Sequence, residues 1–231
     1  MEKLEQIAER IRGEFDAHTE ARDKALTRSR MLIRFCSQAI RAVHREETDL
    51  MNEHLAEADK LANLLTEGLK EFPNLYHTGY TQDALKEYAE AQITCALMLN
   101  QPLPSPEEIN VFHATWLKGL SEVVGELRRR CLDILRKGYS PEAERLLGLM
   151  DDIFSVLVTM DYPDAITNGL RRQTDIARSI IERTRGDLTF SLQGENLAQA
   201  ISSLSEQLLT DDKLKIKLPS GRSKSYLSNE D

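Results

Sequence analysis

Apolar residues recur at three- and four-residue intervals through most of the chain, the period of an amphipathic helix rather than the alternation of a strand. Residues 2 to about 46 contain no Pro and a single glycine, Gly13. The pattern there predicts one very long helix, with Gly13 as the point where it can bend. A second helix is predicted from about 50 to 71, with Leu50, Leu55, Leu61, Leu64, Leu65 and Leu69 as its apolar stripe. Asp49 is placed to cap it, and Phe72-Pro73 to stop it. After a loop at 74–80, a third helix runs through Leu85, Tyr88, Ala89 and Leu97 to about Asn100.

Gln101-Pro102-Leu103-Pro104 reads as a rigid connector. Ser105-Pro106-Glu107-Glu108 then offers a Ser N-cap, a Pro at the first helical position and a Glu at the third, so a fourth helix is expected from Pro106 to about Arg136. Ser140-Pro141-Glu142 opens a fifth, reaching about Met160. Asp161-Tyr162-Pro163-Asp164 opens a sixth, ending near Arg185-Gly186. A last amphipathic segment at about 195–209 carries Leu197, Ile201, Leu204 and Leu208. The fold class this predicts is all-α, a single-domain antiparallel bundle of six or seven helices over residues 1–210. A polar, basic and mobile tail is expected over 211–231.

Composition agrees with helices. Hydrophobic residues make up 41% of the 231 and aromatics only 6%, and Leu, Ile, Ala and Met dominate the apolar set. No run approaches the roughly 18 apolar residues of a membrane span, so no membrane partner is expected. The first residues, Met1-Glu2-Lys3-Leu4-Glu5, are charged and carry no apolar signal segment. Cys36, Cys95 and Cys131 are odd in number and never spaced C-x-x-C, which fits reduced thiols of a cytoplasmic protein and excludes a structural zinc site. A net charge of −8 argues against indiscriminate binding of polyanions, so a nucleic-acid site must be a local basic patch.

Such a patch is visible. Between Arg22 and Arg45 there are seven Lys or Arg and one acid, Asp23. At 100° per residue, Arg30, Arg34, Arg41 and Arg45 fall within about 60° of one another along some 20 Å of helix. A row of guanidinium groups suits a phosphodiester backbone; the plainer alternative is a solvated face, or a row paired with Glu from a neighbouring helix.

The carboxylates form a second candidate. Glu87 and Glu90 are three residues apart and share one helix face. Glu126 lies on the fourth predicted helix. Asp151 and Asp152 lie on the fifth, inside an apolar run where adjacent acids cannot both face solvent. Three or four such acids converging would bind Mg²⁺ or Mn²⁺ and serve attack of water on a phosphodiester. Pairs of this spacing are also common on solvated helix surfaces. A di-iron bundle is excluded, because none of the five histidines has Glu three residues before it. Arg171 with Asp175, and Arg178 with Glu182, read as a charge ladder. No P-loop, nucleophile elbow or Gly-rich dinucleotide loop is present.

Taken in order, several short segments resemble the translin family, and its catalytic member, translin-associated factor X, more than translin itself. They are Ser29-Arg30 with Arg41, His44 and Arg45; Glu87-Tyr88-Ala89-Glu90-Ala91; Glu108-Ile109-Asn110; Trp116-Leu117-Lys118-Gly119 leading to Gly125-Glu126-Leu127; Asp152-Ile153-Phe154-Ser155; and Arg185-Gly186. The resemblance implies an all-α fold of about seven helices, barrel-like octamers around a cavity, and binding of single-stranded RNA and DNA. It further implies a Mg²⁺-dependent endoribonuclease with Glu87, Glu90 and Asp152 as catalytic and metal-holding residues and Glu126 as a fourth metal candidate. Asp151 beside Asp152 leaves the position of the Asp open by one residue, and the extension after Gly186 has no counterpart. A homo-oligomer is expected, as in prokaryotic or archaeal relatives, with a separate translin-like partner subunit as the other arrangement. The function expected is that of a nucleic-acid-binding, Mg²⁺-dependent endoribonuclease. The alternatives are a non-catalytic binding oligomer and a helical protein-interaction scaffold.

Overall fold

A computed structural model describes residues 1–210, so the tail expected at 211–231 lies outside the described residues. Eight helices and no strands occur among the described residues: α1 (Glu2–His44), α2 (Thr48–Gly68), α3 (Pro73–Tyr76), α4 (Gly79–Met98), α5 (His113–Leu135), α6 (Pro141–Leu157), α7 (Asp164–Thr167) and α8 (Leu170–Thr210). Six are long and two are single turns, in keeping with the bundle expected.

The helix ends follow local rules. α1 stops where Glu46 turns left-handed at φ 64°. Glu47 N–H then reaches back to Ala42 O at 3.0 Å and Glu46 N–H to Val43 O at 3.1 Å. This closure usually takes Gly, and Glu is held in it by Arg130 of α5, 2.7 Å from its carboxylate. Asp49 does not cap α2: the N-cap is Glu47, and Asp49 lies in the first turn, where its charge suits the helix dipole. Ser140 does cap α6, accepting from Glu142 N–H at 3.2 Å.

Two boundaries differ from the sequence expectation. The Ser105–Glu108 capping box forms, with Ser105 N–H on Glu108 Oε2 at 2.7 Å and Glu108 N–H on Ser105 Oγ at 3.2 Å. It nucleates only one turn. Asn110 goes left-handed at φ 52°, and Val111 N–H closes back on Pro106 O at 3.0 Å. Helix α5 therefore begins at His113, and Trp116 fastens the connector by donating Nε1–H to Pro104 O at 3.0 Å. At the other end, Gly186 breaks nothing: α8 runs unbroken from Leu170 to Thr210. The break comes instead at Asn168 and Gly169, both with positive φ.

Helix α4 is the centre of the molecule. Thr81, Ala84, Leu85, Tyr88, Ala89, Glu90, Ala91, Ile93, Thr94, Cys95 and Ala96 are all buried, so it is covered on most sides. On one side it packs with α1 and α2 in a core of Leu32, Cys36, Leu65 and Leu85. Ile93 of α4 joins the second core on the other side, with Leu127 of α5, Leu146 and Met150 of α6, and Leu188 of α8. Polar ties cross the first interface: Tyr88 Oη donates to Asp59 Oδ1 of α2 at 2.8 Å, and Gln92 Nε2 donates to the same oxygen at 2.5 Å. Both ends of the described residues project from this body. Residues 2–24 of α1 are almost wholly exposed, and so are residues 189–207 of α8.

A candidate metal centre between α4 and α5

Gly119 sets the geometry of the site. A Cβ there would lie 2.9 Å from Ala89 Cβ, 3.0 Å from Glu90 N and 3.0 Å from Lys86 O. Only a hydrogen fits between the two backbones, so α5 approaches α4 at the turn that carries the glutamates. Glu122 is one turn further along α5 and lands opposite the pair. Carboxylate oxygens of Glu87, Glu90 and Glu122 all lie within 4.8 Å of one another.

Three acids so close repel, and the environment answers in two ways. Glu90 is 8% exposed and has no hydrogen-bond partner among the described residues. Burial first, then the charges of Glu87 and Glu122, push its pKa up to about 8. The other answer is Lys86, whose ammonium lies 2.9 Å from Glu87 Oε1 and also contacts Glu122 Oε2. These hydrogen bonds and charges outweigh desolvation and raise the Lys86 pKa.

Glu126, a further turn along α5, completes the wall. Its Oε2 accepts from His44 Nε2 of α1 at 2.6 Å, with Arg129 3.5 Å away. The His44 bond is the main cause that holds the Glu126 carboxyl below the usual carboxylate range. Glu126 is also among the charges that raise Glu90. Cys36 of α1 is buried nearby; desolvation, then Glu87 and Glu90, drive its thiol pKa up, so it is inert as a nucleophile.

The donor set fits a hard divalent cation. All the available ligand atoms are carboxylate oxygens, and a buried, unpartnered Glu90 is the kind of group that a cation relieves. Glu87, Glu90 and Glu122 would hold it, with Glu126 beside them.

Comparison with known proteins places the arrangement. No family model matches the chain. An uncharacterized protein of Methanocaldococcus jannaschii is 31% identical over 184 residues, which is 77% of this chain and 79% of that protein. Among solved structures, AfC3PO superposes with a TM-score of 0.75 at 28% identity, covering 81% of this chain and 97% of that one. Its complex with duplex RNA gives 0.73 at 27% identity, covering 83% and 97%. The chain has the translin-like fold of these C3PO proteins. Apo-NeC3PO shows the same fold, with a TM-score of 0.74 at 22% identity over 80% of this chain and 96% of that one.

Within this translin fold, the residues expected to form the site are only partly brought together. Glu87 and Glu90 converge as expected, and Glu126 is close by. Asp152 does not join them. The apolar side of α6, Leu146, Met150, Ile153 and Leu157, is buried against α5 and α8, which leaves Asp152 exposed. Its neighbour Asp151 is taken by Arg185 of α8, with both carboxylate oxygens at 2.7 Å. Glu122 holds the third place instead. It lies four residues before Glu126 and three after Gly119, so the same-face rule applied backwards along α5 from Glu126 would have found it.

The basic row of α1 stands clear of the acids. Arg30, Arg34, Arg41 and Arg45 are exposed, while Leu32, Cys36, Ala39 and Val43 turn inward. Arg41 donates Nε–H to Ser37 O at 3.1 Å, and none of the four has an ion-pair partner among the described residues. The charge ladder expected on α8 is replaced by contacts to other elements: Arg171 pairs with Asp161 at 2.8 Å, and Arg178 lies over the Phe154 ring at 5.2 Å.

Proposed function

We propose that this protein is a nucleic-acid-binding, Mg²⁺-dependent endoribonuclease whose centre is Glu87, Glu90 and Glu122, with Glu126 as an adjacent member. The observation that carries the reading is Glu90, a residue 8% exposed with no side-chain hydrogen bond of its own among the described residues, at the meeting point of three acids. A salt-bridged surface cluster gives no reason to bury the acid that lacks a partner. Nucleic acid as the substrate class is supported by the duplex RNA bound to the related AfC3PO. The unpaired arginines of α1 support it too.

Mg²⁺ or Mn²⁺ held by these carboxylates would supply charge neutralisation at a phosphodiester and acidify the attacking water. The chain's own residues do the rest. Glu87 and Glu122 bring negative charge to the rim, and Glu90 would complete the set of carboxylates that hold the cation. His44 holds Glu126 by one oxygen, and Arg30, Arg34, Arg41 and Arg45 position the backbone. Gly119 keeps the two acid-bearing helices in register. The catalytic unit is a homo-oligomer, supported by the exposed apolar residues Leu4, Ile7, Ile11 and Phe15 on the projecting part of α1. A cytoplasmic site suits three free, buried thiols.

One observation favours a second reading, a non-catalytic binding oligomer: the Lys86 ammonium already sits among the acids and balances part of their charge. Cleavage of a labelled single-stranded RNA and of an RNA duplex, with Mg²⁺ or Mn²⁺ against EDTA, separates the two. Metal-dependent cleavage lost in Glu87→Gln and Glu122→Gln, with RNA still bound, establishes the nuclease. RNA that is bound but intact with either metal establishes the binding oligomer.

A further inference from the structure

A cavity opens at the C-terminal end of α1, bounded by the α1–α2 turn and the α5–α6 turn, with a volume of about 710 Å³. Its walls include Arg45, Glu46, Arg130, Arg136, Lys137 and Tyr139. In an acidic chain this concentration of cations needs a reason, and the ion pairs do not provide one. Arg130 is matched by Glu46 at 2.7 Å. Arg136 reaches Asp133 only at 4.0 Å, and its side chain is 82% exposed. Arg45 and Lys137 have no ion-pair partner among the described residues.

The position of the cavity matters as much as its charge. Arg45 is the last member of the α1 row, so the track through Arg34 and Arg41 runs directly into it. His44, the preceding residue, also lines the cavity and bonds Glu126 at the metal centre. Successive residues of a helix point about 100° apart. The end of α1 therefore carries the metal centre on one side and the cationic cavity on the next. The turn that forms its far wall is shaped by Gly138 at φ 116°, which carries Lys137 and Tyr139 on either side.

We propose that this cavity is a phosphate-binding subsite, which holds a phosphate of the same nucleic-acid strand that lies along the α1 arginines and reaches the metal centre. The proposal rests on the nucleic-acid reading of the protein. Arg136 and Arg45 supply planar forks that match phosphate oxygens, and Lys137 supplies a mobile point charge. The Tyr139 ring, partly exposed at the rim, offers a face for a base next to that phosphate. The shared chemistry is a phosphate, either a terminal monoester or a diester within the strand.

The test is a salt titration of binding, in EDTA, of a short labelled single-stranded RNA carrying or lacking a terminal phosphate. Wild type is compared with Arg136→Ala/Lys137→Ala and with the charge-keeping Arg136→Lys/Lys137→Arg. The double alanine variant is expected to bind more weakly and to show a log–log salt slope flatter by about one unit, as for loss of one or two phosphate contacts. The charge-keeping variant is expected to retain most of the slope. A loss confined to the phosphorylated RNA identifies a terminal monoester, and an equal loss on both RNAs identifies an internal diester. Mn²⁺ binding by calorimetry verifies that the variant is folded. Unchanged affinity and slope in the alanine variant, with wild type binding RNA, overturn the subsite alone. Failure of wild type to bind either RNA overturns the nucleic-acid reading together with it.

Discussion

His44 on α1 and Glu126 on α5 meet at 2.6 Å although 82 positions separate them in the chain. The His44 side chain is 3% exposed, and its Nδ1 is buried with no hydrogen-bond partner. The Glu126 oxygen accepts from Nε2–H, so the ring aims one directed bond at the carboxylate. That bond fixes one oxygen of Glu126 and would orient the carboxylate beside the proposed cation site, the role that groups behind metal ligands commonly take. His44→Ala is expected to weaken Mn²⁺ binding by about 10–100-fold in calorimetry. His44→Gln, which keeps an N–H near the Nε2 position, should recover much of it. Equal affinity in all three proteins would show that the bond serves packing alone.

Glu90 predicts a pH dependence. Its folded-state pKa, near 8, lies above the unfolded value near 4.5. Between these values the folded state holds a proton that the unfolded state has lost, so stability contributed by this group falls as pH rises from about 4.5 to 8 and then levels off. Glu90→Gln should therefore raise the melting temperature of the metal-free protein at pH 8 and change it little near pH 4.5. Mn²⁺ affinity of the wild type should climb through the same window, because ligation displaces that proton. A flat affinity between pH 6 and 8 would count against Glu90 as a ligand.

Gly119→Ala tests the close approach of the helices. The added methyl meets backbone atoms of α4 at about 3.0 Å, which cannot rotate away. Overpacking of this kind costs about 1–3 kcal/mol, readable in urea unfolding. The separation of α4 from α5 should also weaken Mn²⁺ binding. Gly125→Ala, with open space around its added Cβ, is the control and should leave metal affinity unchanged.

The α1 row predicts a different signature. Arg34→Ala should weaken RNA binding and flatten the salt slope by about 0.7 for a single-stranded contact, while leaving Mn²⁺ affinity intact. An unaltered slope would assign Arg34 to solvent.

The projecting stripe of α1 predicts assembly. Ile11→Glu with Phe15→Glu places charge on an exposed apolar face, far from the metal centre in the chain. Light scattering should then report a smaller particle than wild type, with helical content retained.

Periodicity and punctuation alone determined that the chain is helical, where α2 and α6 lie, and that Glu87 and Glu90 share a face, because those properties depend on residues within a turn or two of one another. The same local reasoning predicted the capping box at Ser105 and Glu108, which forms, but not that Asn110 ends it after one turn. It also stopped a helix at Gly186, where nothing in the structure requires an end. Which acid takes the third place was beyond its reach. Asp152 and Glu122 are both plausible from spacing, and the choice between them depends on which helix α4 packs against, and how closely. Gly119 decides that by admitting α5 to van der Waals contact, while the apolar face of α6 turns toward α5 and α8 and leaves Asp152 outside. Burial of Glu90, its raised pKa and the His44–Glu126 bond arise from the same packing, since each requires groups from different helices to lose water together.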